Sequence, residues 1–444
     1  FFVRFRHRGT AIMRFALSVL TLADFARTSV SAFSLQTRPG GGFASVANID
    51  EKASRQIFPF TEWAEMAAGV QQADGFELTS NDGEDYYAMT RANIPAGSPV
   101  LFVPNDVLIS SFGAAQEFGQ GLQGAEQQLA QAGIGYQIPL FRVYVKILAE
   151  YEKGDESPFF KWMDSLPRQF YNGASMTYAC FDALLPYVAW LSMTERTNSV
   201  NFQKAIQNVF FLNEDTTSDK DLLKWAYCVA VSRSIEINGE RVIAPMADYF
   251  NHGAETEVEV NFDDGGNCNV YASKDIPAGS PLRMSLGDPT NPSPLFATYG
   301  FLDESSPATF CKMMDKRDEM QALGYDFSNL LFYKDTGDIS PEVYDVVLYS
   351  LLGNADPGLQ QAFYQAVVSG DEATKNQYHQ QYFQYTLDEL KNHVNKTLRE
   401  LESLNQKARS YDPRTHPRVP VILKHNDFVK ETFLRVQANL DTMG

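Results

Sequence analysis

The 444-residue chain is short of three things, and each scarcity closes off a class of function. Its only four cysteines, Cys180, Cys228, Cys268 and Cys311, stand far apart, with no C-x-x-C pair and no histidine at ligand spacing. Neither a disulfide framework nor a zinc module can be read from them; buried free thiols are expected, and no metal site. Positive charge is scarce too: 37 Lys and Arg against 55 Asp and Glu leave a formal net charge of −18. Gripping a phosphate backbone needs a basic footprint, so no nucleic-acid partner is expected. An acidic surface instead favours basic partners, such as protein segments bearing lysines. Finally, beyond the N-terminus no run of about 18 apolar residues occurs, so no membrane span is expected.

What is present suits a globular protein of two or three domains. The chain is 44% hydrophobic and carries 32 Phe and 21 Tyr, ample for large cores. It opens on Phe1, and residues 1–12 are basic and featureless and need not belong to the natural product. From Met13 the pattern sharpens: Arg14, an apolar run from Phe15 to Ala23, then small residues from Ser29 to the Ala32–Phe33 junction. A basic start, a short apolar core and a small-residue cleavage site describe a targeting segment over residues 1–32, although Asp24 and Arg27 break the run. The Ala32–Phe33 junction resembles that of bipartite plastid-targeting signals in algae with secondary plastids. The expected location is therefore the plastid stroma, with the cytoplasm as the alternative. Residues 33–56, rich in Gly, Ser and Ala, read as a flexible lead-in.

Three short runs with turn signals between them predict strands: Phe76–Leu78, Tyr86–Met89 and Pro99–Pro104. From about 112 to 236 the pattern turns helical, with apolar residues three to four apart over Pro139–Tyr151 and Leu222–Ile235. Strand signals return between 241 and 285, where Val258, Val260 and Phe262 alternate ahead of a turn at Asp263–Asn267 and of Val270 and Tyr271. After about 320 the chain is helical again: Pro341–Leu352, Asp356–Val368 and Leu387–Lys407, with Thr386 as a candidate cap. Pattern alone gives an α+β chain, a β-rich unit split by a helical insertion and followed by a helical C-terminal part.

One stretch says more. A helix from Trp225 ends in Ser232-Arg233, Ala244 to Gly253 reads A-P-M-A-D-Y-F-N-H-G, and Thr298-Tyr299-Gly300-Phe301 stands some 45 residues on. Upstream, residues 157–167 read SPFFKWMDSLP. This order resembles the SET domain, and within it the Rubisco large-subunit methyltransferase group. The resemblance spans roughly residues 57–440. It implies a β-rich SET fold with knot-like threading over 57–320, a helical insertion at about 112–222, and an all-α substrate-binding domain over 321–444.

The resemblance also implies an activity: methyl transfer from S-adenosylmethionine to a protein lysine nitrogen, on a non-histone acceptor held by the C-terminal domain of a monomeric enzyme. Such a transfer is an in-line displacement that needs no metal, but donor and acceptor must be held in line. The amine, with an ordinary pKa near 10.4, must also first lose a proton. By resemblance Tyr299 is the catalytic tyrosine beside the methyl group. Gly83, Glu84, Arg233, Asp248, Asn251, His252 and Tyr299 would bind the cofactor, and Ser232, Ile235, Ile237 and Phe310 would line the substrate channel. Read singly, each has a bland alternative: a core aromatic for Tyr299, an ordinary capped turn for Asn251-His252, a surface ion pair for Arg233.

The sequence also departs from the pattern. Asp85 stands where a second glycine is expected after Gly83, Leu286 where a hydroxyl is expected, Ile235 and Ile237 in place of an aromatic and an Arg, and Phe310 in place of a second channel tyrosine. These changes keep two rivals open: a histidine-directed methyltransferase on the same scaffold, whose acceptor is already largely neutral at pH 7, and an inactive SET-derived binding module.

Overall fold

The computed structural model describes residues 45–310 and 313–444, with Phe310 described by its backbone alone. The targeting segment, the first part of the lead-in, Cys311 and the Phe310 side chain lie outside the described residues. Among the described residues the strands group into small sheets, all antiparallel but for one short parallel pair. The largest runs in the order Gln71–Gln72, Pro99–Val103, Cys268–Ala272, Val258–Phe262. Its last two strands form the hairpin expected around Asp263–Asn267, pairing Cys268 with Phe262 and Ala272 with Val258. Alternation sets the faces: Cys268, Val270 and Ala272 are buried while Tyr271 points outward. A second hairpin joins Phe76–Ser80 to Tyr86–Thr90.

A third sheet is built by Ile109–Ser110, Glu240–Ile243 and Ile235–Ile237. Its tight turn is Asn238-Gly239, both at positive φ (51° and 83°), the pairing that a right-twisted two-residue hairpin demands. The Lys220–Arg233 helix leads straight into this sheet, so Ile235, expected to end the helix, instead begins a strand. Asp219 caps that helix, accepting from the Asp221 and Leu222 amides at 3.0 Å each. Asn251–His252 pairs in parallel with Arg283–Met284, bringing two chain segments about thirty residues apart side by side.

Between Ser111 and Ala205 the chain is helical, and its two long helices are Ile138–Glu152 and Pro186–Ala205. Phe141, Tyr144, Trp162, Phe202 and Tyr227 fill the core they share with the sheets. The C-terminal part is a bundle. Its longest helices, Phe383–Ser410 and Val419–Thr442, run antiparallel, as the contacts Lys391–Asp441, Gln437–Asn395, Lys430–Glu402 and Asn405–Asp427 show. Leu387, Leu390, Val394, Leu401, Leu404 and Ala408 form the seam at alternating spacings of three, four and seven. Thr386 is no cap: it lies inside the helix, buried, and its hydroxyl donates to the Tyr382 carbonyl. The expected boundary at 320/321 falls within the Arg317–Ala322 helix, and the strand pair Ala308–Phe310 with Leu331–Tyr333 straddles it.

Candidate active site

Some of the residues singled out by sequence meet at the C-terminal end of the Lys220–Arg233 helix. Arg233, on its last turn, donates from Nη1 to the Asp248 carboxylate at 2.9 Å and to the Asp248 carbonyl at 3.0 Å. Its guanidinium lies 4.5 Å from the centre of the Tyr249 ring. Burial works against the Arg233 charge, but Asp248 and Tyr249 outweigh it and hold the guanidinium above its ordinary pKa. Asp248 is itself fully buried, and Trp162 Nε1 donates to the same carboxylate oxygen at 3.0 Å. The other oxygen, Oδ1, is buried with no hydrogen-bond partner. A buried carboxylate oxygen left bare is costly unless something donates to it.

Local backbone strain aims Asp248. Met246, two residues earlier, has φ 75° and ψ −48° and no solvent exposure. Such a conformation costs an ordinary residue about 1–3 kcal/mol and persists only where the surroundings enforce it. From this kink the Asp248 amide reaches the Ala244 carbonyl at 3.0 Å.

Beside this pair opens a cleft of about 400 Å³, solvent included. Of the expected residues, Ser232, Arg233, Ile235 and Asp248 line it; Val260, Met284 and Leu286 add apolar wall. Leu286 links this wall to two more expected residues. Its amide donates to His252 Nδ1 at 3.1 Å, and the Tyr299 hydroxyl reaches its carbonyl oxygen across 3.5 Å, a long contact. Accepting at Nδ1 leaves the His252 proton on Nε2, 3.4 Å from an Asp303 oxygen. Burial lowers the His252 pKa, with Asp303 opposing, and burial raises that of Tyr299.

Tyr299 ends the Pro292–Tyr299 helix, and Gly300 caps it at φ 87°. Only glycine fits there: a Cβ would meet the Tyr171 carbonyl carbon at 2.4 Å and the Asn172 nitrogen at 2.6 Å. The tripeptide Tyr299-Gly300-Phe301 is thus a forced turn whose glycine packs against the backbone of the helical insertion.

Other expected residues lie apart from the pocket. Asn251 is exposed, with His252 buried behind it. Ser232, although on the pocket wall, turns its hydroxyl back to the Cys228 carbonyl at 2.7 Å, where it is occupied within its own helix. Ile237 stands at the tip of its hairpin and is absent from the pocket wall. Gly83 and Glu84 occupy an exposed turn, with Gly83 at φ 81° and Asp82 accepting from the Glu84 and Asp85 amides at 2.8 Å each. Only the Glu84 carbonyl connects to the site, through Arg55. Asp85 is close enough to Arg55 and Arg233 to feel both charges, while burial, then Asp82, raise its pKa.

Arg55 is the residue that sequence reasoning missed, lying in the stretch expected as a lead-in. It donates to the Ser165 carbonyl at 2.7 Å and to the Tyr249 hydroxyl at 3.3 Å. Tyr249 in turn donates to the Ser165 carbonyl at 2.9 Å. Residues 157–167 therefore meet the Asp248-Tyr249 stretch directly, through Trp162 and Ser165. Among the described residues no group of three or more His, Cys, Asp or Glu is placed to hold a metal ion, and no helix is long and apolar enough to cross a membrane. Cys180, Cys228 and Cys268 are buried free thiols.

No protein-family profile matches the chain, and no curated protein matches its sequence. Solved structures do match its backbone. The structure of Rubisco LSMT bound to AdoMet superposes with a TM-score of 0.60 at 15% identity, over 88% of this chain and 92% of that one. The SET domain of LSMT bound to lysine and AdoHcy gives 0.59 at 14% identity, over 87% and 91%. Rubisco LSMT bound to sinefungin and monomethyllysine gives 0.60 at 15% identity, over 88% and 92%. The chain has the LSMT-type SET fold. The SET-like α+β architecture with its helical C-terminal region, expected from residues 157–167 and 225–301, is thus the architecture observed.

Proposed function

We propose that this protein is an S-adenosylmethionine-dependent protein N-methyltransferase directed at lysine, with Tyr299 at the methyl-transfer point. The observation that carries the reading is the junction at Leu286. One backbone unit ties His252 on one side and Tyr299 on the other, on the wall of a cleft into whose rim Asp248 brings a buried oxygen without a partner. That donor set fits S-adenosylmethionine: its ammonium and hydroxyls are donors that Asp248 Oδ1 lacks, and Arg233 supplies a cation for its carboxylate. S-adenosylmethionine bound here would supply an electrophilic methyl group. The fold's likeness to LSMT structures bound to AdoMet, AdoHcy and monomethyllysine supports the same reading.

The chain's own residues then have plain tasks. Ile235, Val260, Met284 and Leu286 keep water from the transfer point, and an apolar wall favours the neutral amine over ammonium. Tyr299, held by its forced turn, orients the acceptor lone pair. The helical C-terminal part holds the acceptor protein, and residues 1–32 address the chain to a plastid; fusing residues 13–43 to a fluorescent protein tests the address.

Calorimetric titration of S-adenosylmethionine into the full chain tests the activity. Affinity of about micromolar order is expected, removed by Arg233→Met and spared by Tyr299→Phe, whose methyl transfer falls by about a hundredfold or more. No heat at millimolar ligand would sink the methyltransferase reading and leave a docking scaffold.

A further inference from the structure

A ring of contacts closes around Tyr299. Its hydroxyl reaches the Leu286 carbonyl across 3.5 Å, the Leu286 amide donates to His252 Nδ1 at 3.1 Å, and His252 Nε2 stands 3.4 Å from Asp303 Oδ2. Asp303 lies just past the Gly300 turn, so the ring shuts on the segment from which it started. Phe301 lies between the two ends, its ring centre 5.9 Å from that of His252 and 6.0 Å from that of Tyr299. Leu286 is on the pocket wall and Asp303 is off it, so the carboxylate charge acts on the imidazole and not on the amine that must lose a proton.

Asp303 has one oxygen more than its own turn uses. Oδ1 accepts from the Ser305 amide at 2.9 Å and from the Ser305 hydroxyl at 2.6 Å, and an asparagine would serve that turn equally well. Oδ2 and His252 Nε2 are both buried, face each other, and have no other hydrogen-bond partner. A peptide N–H can only donate, so His252 Nδ1 must accept and its proton must sit on Nε2. A buried imidazole N–H without an acceptor is costly, and an ionised carboxylate can only accept. Asp303 therefore suits one tautomer, the one that the Leu286 amide requires. The charged groups facing the imidazole are Asp303 and Arg283 of the paired strand, and Arg283 is held by the two Glu257 oxygens at 2.9 Å each. Burial lowers the His252 pKa, Asp303 opposes it and Arg283 adds to it.

We propose that Asp303 is a positioning residue: it accepts from His252 Nε2, holds the imidazole in the tautomer that anchors the Leu286 peptide, and so fixes where the Tyr299 hydroxyl stands. The proposal rests on the methyltransferase reading and adds to it a residue that touches neither cofactor nor acceptor. With its proton directed at the Leu286 carbonyl, the Tyr299 oxygen keeps its lone pairs for an N–H of the acceptor amine.

Nitrogen NMR of the full chain, labelled at its histidines, reads the tautomer directly; the His252 signals are those missing from His252→Gln. The unaltered protein should show a protonated Nε2 and a bare Nδ1. Asp303→Asn keeps the Ser305 turn but loses the charge, and its amide can donate to Nε2. Signal from the opposite tautomer should appear, and the His252 titration should move to lower pH, because no anion favours the imidazolium. Methyl transfer at saturating substrates should fall by about tenfold to a hundredfold. Asp303→Glu, which can only accept, should keep the proton on Nε2 and recover part of the transfer.

A merely turn-capping Asp303 would leave all of these readings unmoved in Asp303→Asn. The inference is overturned by that result, by a His252 proton on Nδ1 in the unaltered protein, or by Asp303→Asn transferring methyl groups as the unaltered protein does. The tautomer is read without cofactor. The expected tautomer in a chain that binds no S-adenosylmethionine would therefore strike the methyltransferase reading, not the contact between Asp303 and His252.

Discussion

At the scale of single residues, the site is organised around an internal ion pair. Arg233 and Asp248 are both withdrawn from water, with side-chain exposures of 10% and 0%. Breaking such a pair from one side strands the other charge, at a cost of about 3–5 kcal/mol, whereas replacing both partners can be nearly neutral. Arg233→Met is therefore expected to lower the unfolding free energy by about that amount in urea titrations, and Arg233→Met with Asp248→Leu to recover much of it. Neither variant should bind S-adenosylmethionine. A double variant restored in stability but not in binding would show that the pair is kept for the ligand rather than for the fold. If the double variant is as unstable as the single, the cost lies in Trp162 and the kinked backbone at Met246, not in the stranded charge.

At the scale of elements, the site depends on how helices end. The Pro292–Tyr299 helix stops where Gly300 turns left-handed against the backbone of Tyr171 and Asn172. Gly300→Ala places a methyl group 2.4 Å from a backbone carbon, so the insertion or the helix must shift. The expected loss is about 1–3 kcal/mol of stability from the left-handed conformation alone, read as a lower melting temperature. Methyl transfer should fall further than that stability loss explains, because the displaced residue is the neighbour of Tyr299. Unchanged turnover in Gly300→Ala would mean that the helix end does not position the tyrosine.

This is also where sequence and structure part company. The order Ser232-Arg233, Asp248, Asn251-His252, Tyr299 was legible as a resemblance to the SET-domain pattern, carried by order and spacing together because each residue read singly has a bland alternative. The 157–167 stretch was legible as a resemblance, and the structure supplies the reason it accompanies the others: Trp162 and Ser165 bond to Asp248 and Tyr249. Arg55 was not legible. It sits in a Gly- and Ala-rich stretch with no periodicity, and its value comes only from a contact 110 residues away in sequence. The helix expected through Ile235 was overridden: its apolar spacing continues the helix, but the hairpin turn at Asn238-Gly239 claims it for the sheet.

At the scale of the whole described molecule, the C-terminal bundle is bolted to the insertion by buried polar contacts. Arg418, at the start of the last helix, donates to the Phe170 carbonyl at 2.8 Å and to Ser175 Oγ at 3.1 Å. Asn426 reaches the Ala183 carbonyl at 2.8 Å, and a shared apolar cluster of Leu184, Tyr187, Phe296 and Ile422 fills the seam. The same seam runs through the Pro292–Tyr299 helix, so docking of the bundle and placement of Tyr299 share one set of contacts. Two domains joined in this way should unfold together. The protein offers a direct check: all four tryptophans, Trp63, Trp162, Trp190 and Trp225, precede the bundle, while its two longest helices lie in it. Tryptophan fluorescence and far-ultraviolet dichroism should therefore give coincident urea transitions. Arg418→Met leaves the Phe170 carbonyl without that donor and should cost about 1–3 kcal/mol. It should also separate the two transitions, with dichroism changing first as the bundle loosens. Coincident transitions in both proteins would place the coupling in the apolar seam rather than in Arg418. Well-separated transitions in the unaltered protein would instead show that the bundle folds independently of the site it flanks.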